Sequence, residues 1–399
     1  MKLLTSRWMT AAALVAPLLM TTSALAGPTW KFGDDGDRLL KLNYAGQTQL
    51  VFRDTGAGPD GTDSAAEFNL RRNRLQLIGA AGDWLGFYLQ TEFLEDRNIT
   101  PLTVGDGDTS SFEVLDVVVR IKADDAFQLR LGKFKYNFTR ENLEDCFGAL
   151  NSDRSLFVRA PLGDDGTRDK GLAIWGNLAD DLLQYRLDVM NGRNDSASTP
   201  SSAFRYSARV HVSLFEHEAD YGYKGSYLGQ KTVLTLGGAV QYEASVAYAD
   251  VARQADAKDY LAWTVDLFGE FPTSAGTFTF SAAYADYKIG DAYEGADPDP
   301  EVIGLNGQKN GGYAKLAYML PTLPLQLFAR GELWRFARLD GVNDQGVTYV
   351  GGGANYYFDG QSLRLTVEAF LTDFEHEGTF GTHDVHDFTT VLTQLQFVY

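Results

Sequence analysis

The feature that most constrains this chain is a period of two in hydrophobicity, repeated over many segments. Leu40, Leu42 and Tyr44, then Thr48, Leu50 and Phe52, share one parity, with Lys41, Asn43, Gln47 and Gln49 on the other. Successive side chains of a strand point to opposite faces, so the pattern gives one greasy face and one wet face. It returns as Leu85, Phe87, Leu89 and Phe93 against Tyr88, Gln90 and Glu92, and as Leu115, Val117, Val119 and Ile121 against Asp116, Arg120 and Lys122. Leu183, Tyr185, Leu187 and Val189 oppose Gln184, Arg186 and Asp188, and Tyr206, Ala208, Val210 and Val212 oppose Arg205, Ser207, Arg209 and His211. Leu363, Leu365 and Val367 alternate with Arg364, Thr366 and Glu368. A soluble sandwich also alternates, but its strands are usually shorter. Here the wet face is charged in segment after segment, and the segments run to about ten residues, the length of a tilted strand crossing a bilayer.

The connections carry the same message. Tight turns are expected at Ala81 to Asp83, Ala123 to Asp125, Leu178 to Asp181, Pro272 to Gly276, Leu320 to Leu323 and Asp359 to Gln361. Between them lie long polar stretches: Arg53 to Ala66, Asp96 to Ser111, Tyr136 to Thr167, Asn191 to Ala203, Ala244 to Lys258, Lys288 to Asn310, Ala337 to Gly346 and Phe374 to Asp387. Alternation of short and long connections is the habit of outer-membrane barrels and implies about 16 antiparallel strands. Phe215 to Lys231 breaks the rule, being long where a tight turn belongs. At the C-terminus Val391, Thr393, Leu395, Phe397 and Tyr399 oppose Thr390, Gln394 and Gln396. That places a lipid-facing strand at the chain end, where a barrel pairs last strand with first and leaves no edge in lipid. Trp84, Tyr44, Tyr242, Tyr284, Tyr356 and Tyr399 are expected to form interfacial girdles.

The N-terminus sets the compartment. Lys2 and Arg7 precede an apolar run from Met9 to Met20, and Ala24-Leu25-Ala26 is a small-x-small end, together the parts of a secretory signal peptide over residues 1–26. The run is shorter than the roughly 20 residues of a spanning helix. Residues 27–399 then form one barrel domain in the bacterial outer membrane. A net charge of −18 argues against a nucleic-acid partner, and one Cys excludes a disulfide scaffold or thiolate zinc site. An aromatic share of 13% is far too high for a disordered chain.

Specific stretches carry a likeness to a known family. Leu129-Arg130-Leu131-Gly132-Lys133-Phe134-Lys135-Tyr136-Asn137-Phe138-Thr139-Arg140-Glu141 resembles the entry to the third loop of the phosphate-selective porin O and P family. Arg154-Ser155-Leu156 and Arg168-Asp169-Lys170-Gly171 resemble that loop's exit. Phe68 to Leu77, Tyr227-Leu228-Gly229, Leu234-Thr235-Leu236-Gly237 and Asn355-Tyr356-Tyr357-Phe358-Asp359-Gly360 extend the likeness over nearly the whole mature chain. The resemblance implies an all-β transmembrane barrel, a homotrimer, a long third loop folded into the pore, and passage of anions or phosphate.

The candidate channel-lining and anion-binding residues are Arg72, Arg74, Arg120, Arg130, Lys133, Lys135, Arg140, Arg154, Arg159 and Arg168. In a narrow pore, Arg and Lys replace water around an anion, and guanidinium grips phosphate through paired hydrogen bonds. Arg72 and Arg74 share a lumen parity about 7 Å apart, and Arg71 faces outward near a rim. The alternative is that these cations pair with Glu92, Asp116 and Asp188 across the wall, and the third loop itself carries Glu141, Glu144, Asp145, Asp153, Asp164 and Asp165. Asp106, Asp108, Glu294, Asp297, Asp299 and Glu301 fall in external loops, solvated or bridged by divalent cations to lipopolysaccharide.

Other function classes find little to build on. A barrel enzyme would draw its base from His211, His217, His376, His383 or His386, and His211 reads as a pore-lining polar residue. His383-Asp384-Val385-His386 is a weak metal signal, so neither a metal nor a cofactor is expected. Cys146 reads as a free small residue of the third loop, and no large external domain marks an adhesin. The expected function is passive diffusion of small solutes or ions.

Overall fold

The computed structural model describes residues 27–33, 36–58, 60–95, 99, 110–155, 158, 167–193, 200–201, 203–250, 253–290, 308–336, 345–380 and 383–399. Among them are β1 (Thr29–Phe32), β2 (Arg38–Ala57), β3 (Asp63–Ala81), β4 (Leu85–Leu94), β5 (Ser111–Lys122) and β6 (Gln128–Lys135). The short helix α1 (Arg140–Leu143) precedes β7 (Arg168–Leu178), β8 (Leu183–Met190), β9 (Arg205–Phe215), β10 (Val233–Asp250), β11 (Ala255–Thr273) and β12 (Gly276–Lys288). Then follow β13 (Lys309–Met319), β14 (Leu325–Phe336), β15 (Gln345–Asp359), β16 (Leu363–Phe374), β17 (Gly378–Phe380), β18 (His383–Val385) and β19 (Phe388–Val398).

β2 to β16 and β19 pair antiparallel in chain order and close into a 16-stranded barrel. The seam runs from Thr390↔Arg53 to Val398↔Ala45, and Tyr44 and Tyr399 exchange backbone hydrogen bonds of 2.7 Å at its end. β1 continues along the same edge of β2, with Thr29↔Lys41 through Phe32↔Arg38. The N- and C-terminal strands thus lie end to end against one strand, and the seam leaves no unpaired edge there.

Exposure is inverted relative to a soluble domain. Leu236, Leu316 and Leu333 are 62%, 64% and 66% exposed, whereas Arg205, Arg209 and Arg364 are buried. Apolar side chains coat the outside, and the charged parity is enclosed by the wall, as the alternation requires. Trp84, Tyr242, Tyr284, Tyr356 and Tyr399 stand exposed on the outer surface.

Bulges in β3 and β5 change local parity. The register skips Arg71 between Gln47↔Arg72 and Thr48↔Leu70, so Arg71 is the extra residue on β3 and its side chain reaches the lumenal Asp153. The expectation that Arg71 faces outward is therefore corrected. Leu115 is likewise extra on β5, between Gln90↔Asp116 and Thr91↔Val114, and is buried rather than lipid-facing. An inserted residue breaks the period of two, which no count along the chain can detect.

The connections also differ in length from expectation. β2 extends to Ala57 and β3 begins at Asp63, while β10 extends to Asp250 and β11 begins at Ala255. Beyond the membrane both faces of a strand are wet, so the ladder continues after its alternation has faded. The Phe374 to Asp387 stretch contains the hairpin β17–β18. The tight turns fall where expected; at Gly276, φ is +136° and an added Cβ would lie 2.5 Å from the Met319 carbonyl oxygen, so only glycine fits.

The assigned faces predict an asymmetric response to mutation. Val210→Arg, on the lipid face at the middle of β9, is expected to cost about 2–4 kcal/mol. Ser213→Ala, which removes a lumenal hydroxyl pair with Thr235, is expected to cost about 1 kcal/mol. Urea titration of the barrel folded in vesicles measures both, and equal losses would contradict the faces.

Candidate functional site

Two connections enclose the functional region, one from each end of the barrel. The first leaves β6. Thr139 caps α1 by accepting from the Asn142 backbone N–H at 3.1 Å, and Tyr136, Phe138 and Arg140 are buried. Its later residues meet lumen-facing side chains of distant strands. The Cys146 carbonyl accepts from Gln47 of β2, the Phe147 carbonyl from Gln396 of β19, the Ala149 carbonyl from Arg364 of β16, and the Leu150 carbonyl from Asn355 of β15. Ser152 donates to Glu368, Ser155 to Glu332, and Glu141 pairs with Lys315 of β13. These partners satisfy backbone carbonyls that a buried irregular segment would otherwise leave orphaned.

The second is the long stretch between β9 and β10, where the sequence breaks its own rule. It turns inward and meets the first. Asp145 donates its backbone N–H to the Tyr223 carbonyl at 2.9 Å, Tyr223 to Leu143 at 3.3 Å, and Gly225 to Gly148 at 2.9 Å. Arg140 grips Glu218 through two hydrogen bonds of 2.7 and 2.8 Å and lies over the Phe268 and Tyr223 rings at 3.9 and 4.5 Å. Glu270 anchors the return by accepting from the Tyr227 and Gly229 backbones and the Ser226 hydroxyl.

The charges sort into two groups. Arg74 pairs bidentately with Glu92, Arg168 with Asp116, Arg209 with Asp266, Arg205 with Glu243, and Arg71 and Arg72 both with Asp153. Burial opposes ionisation of Asp153, but Arg71 and Arg72 hold its carboxyl well below the usual range. Several lumenal cations have no carboxylate within ion-pair distance among the described residues; Arg364 of β16 is one, donating to the Ala149 carbonyl and to Gln396, and four others lie on β6, β8 and the first connection. Arg130 lies over Tyr221 at 3.9 Å, and Arg186 donates to Gln184 and lies 4.5 and 4.6 Å from Tyr221 and Tyr223. Lys135 donates to the Glu144 carbonyl at 2.6 Å, and Arg154 to the Asn142 carbonyl at 3.0 Å. Arg130 Nε, Arg186 Nη2, Asn137 Nδ2 and the Tyr221 hydroxyl are buried without a partner. A cavity of about 280 Å³ opens beside Arg130 and Tyr221, lined also by Arg74, Asp116, Lys135, Asp145 and Cys146. Such a wall offers donors to an oxyanion.

The sequence candidates therefore separate. Arg130, Lys135 and Arg154 have no carboxylate partner; Arg74, Arg140 and Arg168 are neutralised by Glu92, Glu218 and Asp116, and Arg72 shares Asp153 with Arg71. Cross-wall pairing was one of the two sequence readings, and it holds for Glu92 and Asp116, whereas Asp188 instead accepts the Asn137 backbone N–H. Arg120 sits half-buried on β5 opposite Gly86, and Arg159 lies outside the described residues, as do the acidic positions 106, 108, 164, 165, 294, 297, 299 and 301. Lys133 is corrected: it shares a face with the exposed Leu131 and donates to the Val114 carbonyl in an exposed contact, so it does not line the lumen. Arg186, Tyr221 and Tyr223 were missed as site residues. The charged parity of β8 marked Arg186, but nothing local marks two tyrosines in an inward-turning connection.

His211 is buried with Nδ1 2.7 Å from the Tyr223 hydroxyl, which makes it part of the wall. Among the described residues no group of three or more His, Cys, Asp or Glu is placed to hold a metal.

A family model described as phosphate-selective porin O and P matches residues 42–399. Solved structures share the fold at low identity. The anion-selective porin from Comamonas acidovorans aligns at TM-score 0.56 and 12% identity, covering 91% of this chain and 100% of that one. OprB of Pseudomonas putida aligns at 0.58 and 10%, covering 92% and 95%. OmpT of Vibrio cholerae, in a trimer form, aligns at 0.52 and 13%, covering 91% and 99%. No curated protein matches the sequence.

The Arg140–Glu218 pair is expected to hold the two inward segments together. Arg140→Ala or Glu218→Ala, each leaving one buried charge alone, should cost about 3–5 kcal/mol, and Arg140→Met with Glu218→Leu should cost less than either. Thermal unfolding with protease cleavage between residues 140 and 226 measures this, and a double variant worse than both singles would contradict it.

Proposed function

Because the chain belongs to the phosphate-selective porin O and P family, we propose that its pore prefers small anions and is narrowed by the two inward-turning connections. The protein is an outer-membrane porin for passive diffusion of small solutes. The observation that carries the anion reading is the set Arg130, Lys135, Arg154 and Arg186, which lack a carboxylate partner, Arg130 and Lys135 lining the cavity. A buried unpaired cation carries a desolvation penalty of several kcal/mol, and a passing phosphate or chloride relieves it by supplying the missing counter-charge. Carboxylates paired elsewhere cannot offset these four, whatever the net charge of the chain.

No reaction belongs to this reading. His211 is engaged by Tyr223 rather than by a nucleophile and an orienting acid. Removal of residues 1–26 on export, embedding among outer-membrane lipid and lipopolysaccharide, and assembly as a homotrimer complete the proposal. The trimer form of OmpT and the likeness of fold support the last.

Planar-bilayer recordings in a salt gradient test the preference. The wild type should give a reversal potential on the anion side, and Arg130→Glu should lower the anion-to-cation permeability ratio by about tenfold, corresponding to about 1.4 kcal/mol. An unchanged ratio contradicts the assignment. Glu144 adds a pH dependence. Burial raises its carboxyl to about 7 in spite of Lys315 and Arg140. Lowering pH from 8 to 6 neutralises it, so the anion preference should rise over that window, and Glu144→Gln should reduce the rise. A preference that falls on acidification would contradict this sign.

A further inference from the structure

The outer wall carries one basic spot that the pore does not use. Lys133 of β6 and Lys170 of β7 are register partners, flanked along their strands by the lipid-facing Leu131 and Leu172. Toward the loop end of the barrel, the other exposed cations among the described residues have acids: Arg253 with Asp250, Lys258 with Asp256, Lys288 with Asp286 and Arg335 with Glu375. Lys133 and Lys170 have none within ion-pair distance among the described residues. The acids on the same strands are occupied elsewhere. Glu113 accepts from the Ser111 hydroxyl, and Asp169 accepts the backbone N–H groups of Lys170 and Gly192.

Like charges directly opposite each other across a ladder repel, and an ammonium on a lipid-facing wall is costly. The Lys133 Nζ reaches the Val114 carbonyl at 3.2 Å, three positions nearer the loop end of β5 than its register partner Val117. The side chain therefore extends away from the hydrocarbon toward the outer interface. Val117 and Leu131 are 47% and 38% exposed beside it, an apolar surface adjoining a paired cation. An apolar surface topped by two ammonium groups matches an acylated, phosphorylated glycolipid of the outer leaflet. We infer that Lys133 and Lys170 form a docking site for a lipopolysaccharide phosphate, with its acyl chains laid against Val117 and Leu131. This inference rests on the outer-membrane reading and is independent of the pore's ion preference.

The test titrates full-length protein with bis-phosphorylated lipopolysaccharide and with the same lipid after phosphatase treatment. The wild type should bind the phosphorylated form about tenfold or more tightly, since each lysine near an anionic surface contributes about 1 kcal/mol. Lys133→Gln with Lys170→Gln should lose that discrimination, with conductance reporting that the variant remains folded. Equal wild-type affinity for the two lipids overturns the site without any variant. Undiminished discrimination in the double variant does so as well. Displacement of the lipid by millimolar inorganic phosphate would mark a small-anion site instead and overturn the lipid assignment. Loss of the trimer with unaltered lipid binding would mark a subunit contact and overturn it too. Absence of conductance in the wild type would sink the porin reading and is read separately.

Discussion

A backbone amide in hydrocarbon finds no water, and each one left unpaired costs several kcal/mol. The rest of the structure depends on meeting that demand around a full circle. β19 pairs with β2 from Thr390 to Val398, Tyr399 and Tyr44 exchange the next two bonds, and β1 takes up the same edge beyond them. Once the ladder is closed, the two parities of every strand acquire different solvents. Apolar residues face lipid at the usual gain of burial, and the charged residues have only the lumen.

The lumen is thereby crowded with charge, and the sequence answers by pairing most of it. Arg74 with Glu92, Arg168 with Asp116 and Arg209 with Asp266 are held across adjacent or nearby strands. The inward connections supply further partners, since Asp153 takes Arg71 and Arg72, Glu141 takes Lys315, and Glu218 takes Arg140. Arg130, Lys135, Arg154 and Arg186 keep no carboxylate near β6 to β8, where Asp188 is held by a backbone N–H. An acidic chain can therefore present a basic passage, because field in a narrow low-dielectric space is set by the nearest uncompensated charges and not by the total.

Much of this was legible from the chain alone. The period of two places Gln49, Arg186 and Arg209 inward and Leu50, Leu187 and Val210 outward, and the C-terminal parity foretells the seam at Thr390 to Val398. Three things were not legible. Bulges at Arg71 and Leu115 insert one residue and reverse a face, which depends on the partner strand and not on local composition. Lys133 looked like its neighbours Arg130 and Lys135 in a basic run, yet faces outward because alternation separates 130 from 133, whereas Lys135, of the same parity as Lys133, ends β6 and reaches inward to the Glu144 carbonyl. The Phe215 to Lys231 stretch was visible as an anomaly in length, but its inward course is fixed by contacts with residues 140–148, more than seventy positions distant for Arg140 and Glu218.

The central claim is that the wall is a wide cylinder and that the passage is set by two segments meeting inside it. Single-channel conductance of a variant in which residues 217–230 are replaced by a two-residue turn, measured beside the wild type in the same salt, tests it most directly. The account predicts larger conductance steps and a weaker anion preference, because Tyr221, Tyr223 and the anchor for Arg140 are gone. Steps of unchanged size and selectivity would contradict it.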